Sequence, residues 1–199
     1  MKLNIFIVGV GGQGTLTSSK IIGQAFLREG YNVIVGEIHG MAQRGGIVES
    51  TVVVGPNPNP MIADGDCHIF LGFEPLETYR ALRKASKKTT IILNPDPIIP
   101  FTVTVGQGVY PDVNMMISKM EEIAGNLIII KANELAKKAG SLLTVNTVMI
   151  GALAASKLTP IKPQTFIDVI TESVPRFKEV NIKAFQLGME EYKNKAGKL

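Results

Sequence analysis

The stretch IVGVGGQGTLTSSKIIGQAF, residues 7–26, sets glycines at 9, 11, 12 and 14 between an apolar run and an amphipathic one. Gly9, Gly11 and Gly14 fit the GxGxxG spacing that turns a strand tightly into a helix. Gly9 and Gly11 then serve the turn, Gly12 permits close approach to the backbone, and Gly14 lets the helix pack on the sheet. A helix start also presents N–H groups without intrahelical partners and a partial positive charge. Gly9, Gly11, Gly12, Gln13 and Gly14 are therefore candidate contacts to a phosphate or carboxylate. A dinucleotide further requires an acid about 20 residues on to hold a ribose hydroxyl. Glu37, 23 residues after Gly14, stands there.

Two features weaken the dinucleotide reading. Gly12 and the polar Gln13 make the loop unlike the usual one, and no helix follows Glu37. Instead IHGMAQRGG (38–46) leads directly into the alternating run GIVESTVVVG, where a mononucleotide unit expects a crossover helix. A nucleotide-binding module or dehydrogenase stays open as the reading from another functional class.

Apolar runs alternate with helical patterns along the chain, as in an α/β protein. LNIFIVGV reads as a first strand, and the following helix is closed by Gly30 in the place of a C-terminal cap. YNVIVGE is a second strand, IHGMAQRGG a loop, and PNPNP (56–60) a connection that cannot pair inside a ladder. CHIFLGF and TTIILN are buried strands flanking EPLETYRALRKASKK, a helix whose acids come first and bases last, as its dipole favours. DPIIPFTVTVGQGVYPD is irregular and strand-rich, a helix starts at Pro111, and NLIIIKA is strand-like. From about Asn133 onward the pattern is mostly helical. The expected fold is a Rossmann-like three-layer α/β domain over residues 1–199, with a mostly parallel sheet and a helical C-terminal part.

Composition agrees with one hydrophobic core. A chain of 199 residues buries about 70% of its unfolded surface, and 45% apolar with 19% charged residues is ordinary for a folded globular protein. A net charge of +4 without a long basic stripe does not point to nucleic acid. The N-terminal apolar run is interrupted at once by glycine and reads as a buried strand, not a targeting segment. The later runs fall far short of the roughly 20 residues of a membrane span, so a cytoplasmic location is expected. The single cysteine, Cys67, excludes both an internal disulfide and a cluster held by about four cysteines of this chain.

Other candidate chemistry is thin. Gly65, Asp66 and Asn94 begin a thiamine-type metal pattern, but Cys67 replaces its glycine and Pro95 its second asparagine, so Asp66 is expected to cap its own backbone in a turn. Cys67 and His68 are adjacent on a strand and point to opposite faces, so they do not ligate one ion together. Ser18 and Ser19 lack the GxSxG elbow of a hydrolase. RALRKASKK (80–88) reads as a solvated helix end, with electrostatic contact to an acidic protein or to phosphates as the sharper alternative through Lys84, Lys87 and Lys88. Met115, Met116 and Met120 read as core or subunit-contact filler.

Taken together, GVGGQG (9–14) and EIHGMAQRGG (37–46), in this order and spacing, resemble the gamma-type subunits and domains of 2-oxoacid:ferredoxin oxidoreductases, most closely those of the indolepyruvate type. The likeness covers most of the chain. It implies oxidative decarboxylation of an arylpyruvate with coenzyme A to an aryl-acetyl-CoA, carbon dioxide and reduced ferredoxin. It places thiamine diphosphate, magnesium and 4Fe–4S clusters on a larger alpha subunit, leaving this chain as the cofactor-poor partner. A pyruvate or other 2-oxoacid enzyme is the alternative within the class. Glu37, His39, Gln43, Arg44, Gly45 and Gly46 then form a loop with three competing roles. It packs against the alpha subunit near its thiamine site, it touches substrate or coenzyme A, or Arg44 pairs internally with Glu37.

Overall fold

Every residue of β1 (Leu3–Val10) is buried. Leu3, Ile5 and Ile7 enter one apolar cluster, while Phe6 and Val8 enter a second on the opposite face. A strand buried on both faces is continuously apolar instead of alternating, as this one is. The computed structural model describes residues 1–40 and 45–196, with His39 described by its backbone alone.

The chain leaves β1 into α1 (Thr15–Arg28), which buries Ile21, Ile22, Ala25 and Phe26 against the first face. Gly30 N–H donates to Leu27 O at 3.0 Å and Tyr31 N–H to Phe26 O at 3.1 Å, the paired bonds of a Schellman close. β2 (Val33–His39) and β3 (Ile47–Val54) follow as an antiparallel hairpin. The hairpin carries β2 two residues past Glu37, where the sequence suggested a loop. Ladder pairs Ile38↔Glu49 and His39↔Val48, and the Gly40 N–H bond to Ile47 O at 2.9 Å, satisfy backbone groups that a loop would leave to water.

β4 (Ile69–Gly72), α2 (Pro75–Arg80), β5 (Thr90–Leu93), the single turn α3 (Phe101–Thr104), α4 (Val113–Ile123) and β6 (Asn126–Ile129) continue the sheet. Its order is β2-β3-β1-β4-β5-β6. β1 pairs in parallel with β4, β4 with β5 and β5 with β6, and only β3 runs against the rest. Leu76 of α2 and Met116 and Met120 of α4 cover the second face. α5 (Ala132–Ala139), α6 (Val145–Ala155), α7 (Pro163–Ser173) and α8 (Lys178–Ala196) join α1 on the first. The result is the expected three-layer α/β fold with a mostly parallel sheet and a helical C-terminal part.

Two segments depart from expectation. EPLETYRALRKASKK is not one helix: after Arg80 the chain tightens into a 3₁₀ turn over Leu82–Lys84, and Ala85 is extended. The carbonyls of Arg83 and Lys84 are taken by Gly65 N–H at 2.9 Å and Cys67 N–H at 3.1 Å, so a neighbouring loop captures the acceptors a longer helix would use. Residues 96–112 form no strand. β5 is already paired on both sides, and Pro97, Pro100 and Pro111 bring no donors to a ladder.

α6 and α8 meet backbone to backbone. A Cβ on Gly151 would lie 2.1 Å from Phe185 O, and one on Gly188 2.0 Å from Val148 O. Such contacts are relieved only by moving a helix. Gly151→Ala or Gly188→Ala is expected to cost about 3 kcal/mol, seen as a lower urea midpoint at unchanged slope; a midpoint within error of wild type would contradict the close crossing.

Candidate functional site

α1 leaves β1 toward the first face and α2 leaves β4 toward the second, so the winding direction reverses between these neighbouring strands. A crevice opens outside the carboxyl ends of strands at such a reversal. Here Gln13 spans it. Its Oε1 accepts from Val10 N–H at 2.8 Å and its Nε2 donates to Phe73 O, just beyond β4, at 2.8 Å. Asn94, wholly buried past β5, donates Nδ2 to the same Phe73 carbonyl at 3.2 Å and accepts from Ala132 N–H at 3.1 Å through Oδ1. The two side-chain amides tie the ends of β1, β4, β5 and the start of α5 together.

The glycines divide their labour differently from the sequence reading. Gly9 is a strand residue whose missing side chain makes room for Gln13, since a Cβ there would lie 2.7 Å from Gln13 Oε1. The left-handed backbone falls at Gly12 (φ 101°) and Gly14 (φ 79°), not at Gly9 or Gly11. Gly11 N–H donates to Gly46 O at 2.9 Å, which joins the two glycine-rich segments directly. Gly45 and Gly46 are thus beside the first loop. Gln43, Arg44 and the His39 side chain lie outside the described residues. Glu37 ends up across β3, on a strand about 10 Å from β1 at normal sheet spacing. An acid on the strand next to β1 would be half as far, so the ribose-acid role has no geometric support.

Beside the first loop lies a cleft of about 620 Å³. Gly12, Gln13, Gly14 and Thr17 form one wall, Ser141–Asn146 and Asn133 another, and the junction of α7 with α8 a third. Asn146 is 8% exposed and packs its amide against Gly14. Leu142, Leu143 and Phe177 stand exposed at the mouth.

A buried carboxylate that the sequence reading did not single out orders the next loop. Glu74, 1% exposed, caps α2 by accepting from Glu77 N–H at 2.8 Å through Oε2. Its Oε1 accepts from Ile98 N–H at 3.3 Å and from the Tyr110 hydroxyl. Burial, and then the hydrogen bond to Glu74, push the Tyr110 phenol above its ordinary range. The clue available in sequence is an acid directly before Pro75, the usual arrangement of a helix cap ahead of a first-turn proline.

At the opposite end of the sheet, Asp66 does not cap its own backbone. Its carboxylate accepts from Asn4 Nδ2 at 2.9 Å and pairs with Lys88 at 2.6 Å and Lys2 at 3.2 Å, which hold it down at about 2. Lys84 is mostly buried, bonded to Ile62 O at 2.7 Å and to Asp64 at 2.9 Å, and Lys87 reaches Ala124 O at 3.2 Å. The basic segment is therefore partly neutralised by its own neighbours. His68 Nδ1 accepts from Asn4 N–H at 3.0 Å, and partial burial lowers its basicity. Cys67 is fully buried, with Sγ 3.0 Å from Ile69 O, and burial pushes its thiol up to about 12. Ser18 and Ser19 bond back to Gly14 O and Leu16 O inside α1.

The family model for pyruvate ferredoxin/flavodoxin oxidoreductase matches residues 4–191. The chain belongs to this family. Its relatives include indolepyruvate oxidoreductase subunit IorB of Methanothermobacter thermautotrophicus, 41% identical over 94% of this chain and 96% of that one. IorB of Thermococcus kodakarensis is 39% identical over 98% of both chains. Among solved structures, pyruvate oxidoreductase subunit PORC of Thermotoga maritima superposes with TM-score 0.71 at 17% identity, over 95% of this chain and 96% of that one. That likeness concerns the fold.

The cofactors that this oxidoreductase family implies do not fit the residues of this chain. Asp66 precedes β4 and Asn94 follows β5, so the two would-be metal ligands stand at opposite ends of strands about 13 Å long. Both are already engaged, and Cys67 is an inert buried thiol. No group of three or more His, Cys, Asp or Glu placed to hold a metal occurs among the described residues.

Gln13→Ala removes both bonds of the tie and is expected to destabilise the chain by about 2 kcal/mol, read from urea unfolding; Gln13→Glu, which keeps the acceptor and loses the donor to Phe73 O, is expected to be no better. An unchanged midpoint for both would contradict the tie. For pH, the folded value of Asp66 lies below its unfolded value near 3.8, so its stabilisation is complete above that value and is lost as pH falls toward about 2. Asp66→Asn is expected to remove about 1 kcal/mol at neutral pH, because the site is partly exposed. The variant's stability falls less steeply than wild type between pH 4 and about 2, and parallel acid limbs would contradict the assignment.

Proposed function

We propose that this chain is the cofactor-free subunit of a thiamine-dependent arylpyruvate ferredoxin oxidoreductase of the indolepyruvate type, acting in the cytoplasm as one gamma-type domain. The observation that carries the reading is the near full-length identity to IorB subunits, at 41% and 39%. The reaction breaks the bond between the oxo carbon and the carboxylate, releases carbon dioxide, and joins the acyl group to the thiol of coenzyme A with loss of a proton. The two electrons released go to ferredoxin. Thiamine diphosphate, magnesium and 4Fe–4S clusters belong to the partner alpha subunit, where decarboxylation and electron transfer take place.

This chain contributes a wall to that site. Gly11 N–H and the Gln13 amide are spent inside the chain. An anion such as a coenzyme A phosphate therefore meets the backbone of Gly12 and Gly14, the first turn of α1 and the Asn146 amide. Gly45 and Gly46 stand beside this surface, and His39, Gln43 and Arg44 take the role of contacts to the partner near its thiamine site in this reading. The reading gives Glu37 a place on this loop's strand and no catalytic role.

Separate purification and recombination test the proposal. The chain alone is expected to be colourless and without turnover. Mixed with the large iron–sulfur subunit, it is expected to restore coenzyme A-dependent reduction of ferredoxin by indolepyruvate. Brown colour or turnover from the chain alone, or full activity of the large subunit without it, would overturn the reading.

A further inference from the structure

Residues 97–111, PIIPFTVTVGQGVYP, contain no charged residue, although charges make up 19% of the chain. The segment is an excursion between β5 and α4 at the carboxyl ends of the strands. Phe101 is 77% exposed and Val109 90% exposed, with Ile99 and Val105 about half exposed. A solvated loop of this length ordinarily carries polar tips. This one carries its apolar groups outward.

Its posture is nevertheless fixed. Near one end Ile98 N–H, and near the other the Tyr110 hydroxyl, bond to the same carboxylate oxygen of Glu74. One buried acid thus pins both ends of the excursion while its middle projects. Ile98 also lines the cleft whose mouth bears Leu142, Leu143 and Phe177, so the excursion starts at the cleft rim. Phe101 alone exposes on the order of 150 Å² of apolar surface, and a typical monomer confines its exposed apolar patches to a few hundred.

We propose that the 97–111 excursion is an arm seated in the large cofactor-bearing subunit, with Glu74 as the residue that sets its posture. The inference rests on the subunit reading above. Lack of charge selects the occupant: an acidic electron carrier is drawn to basic patches, whereas an uncharged apolar arm matches the dry centre of a stable subunit interface. The arm starts at the cleft that the first glycine loop also lines, so seating it would bring that loop to the partner in a fixed orientation.

The test uses the full chain and the purified large subunit. Phe101→Asp and Val109→Asp alter exposed positions and are expected to leave the melting temperature unchanged while weakening the complex at least about 30-fold. Leu27→Asp, exposed near the far end of α1, serves as the control and is expected to bind as wild type. Chymotrypsin, which cuts after aromatic residues, is expected to cleave at Phe101 in the free chain and to be blocked in the complex. Tyr110→Phe, which removes one of the two pins, is expected to speed that cleavage in the free chain. Wild-type binding with undiminished affinity in both Asp variants overturns the arm. Self-association of the free chain that the Asp variants abolish, with binding to the large subunit intact, assigns the surface to a second copy and also overturns it. Failure of the wild-type chain to bind the large subunit at all overturns the subunit reading.

Discussion

The carbonyl of Phe73 accepts from two side-chain amides, Gln13 at 2.8 Å and Asn94 at 3.2 Å, and the same two side chains engage Val10 N–H and Ala132 N–H. Four chain segments that sequence places far apart are thereby held at one end of the sheet. Among the described residues it is the Gln13 side chain that joins the first glycine loop to the strand beyond it. Removing the Gln13 amide would leave the buried Val10 N–H without its partner and Phe73 O with only the longer bond from Asn94, and an orphaned buried donor costs about as much as a hydrogen bond is worth or more. The glycine at position 9 exists to admit Gln13, and the second glycine segment closes on Gly11 from the other side. The cleft is the space left beside this knot.

The inserted β3 decides what the knot is for. In a mononucleotide unit the second strand lies next to the first, so that its terminal acid reaches a ribose held on the first helix. Here an antiparallel strand separates them, and Gly46 O takes the N–H of Gly11. The same glycine spacing therefore serves loop closure at a shared surface. Charge points the same way. Arg83, Lys84 and Lys88 answer Asp64 and Asp66 at the far end of the sheet, whereas the described residues lining the cleft carry no charge.

Much of this was legible in the sequence. Uninterrupted apolar runs locate β1, β4 and β5, Gly30 marks the end of α1, and the two glycine segments identify the family. Strand order was not legible, because GIVESTVVVG alternates equally well whether it lies at an edge or between β1 and β2. Helix length after Arg80 was not legible either, since it depends on carbonyls captured by residues 65–67. Gln13 stood out only as a departure from the usual loop; its role emerges once Phe73, 60 positions away, lies beside it. Asn94 reads as a fragment of a metal motif for the same reason, and the tertiary role of Glu74 is unmarked in sequence because its partners Ile98 and Tyr110 are distant along the chain. Side-chain tertiary bonds of this kind leave no periodic signal.

The central claim is that the carboxyl end of the sheet is the working face and that it works against a partner subunit. Hydrogen exchange of the chain, free and bound to the large subunit, tests this most directly. The account predicts slowed exchange at residues 11–17, 45–46, 98–110 and 141–146, with the 56–66 connection at the opposite end unchanged. Protection confined to that opposite end, or spread evenly over the chain, would contradict it.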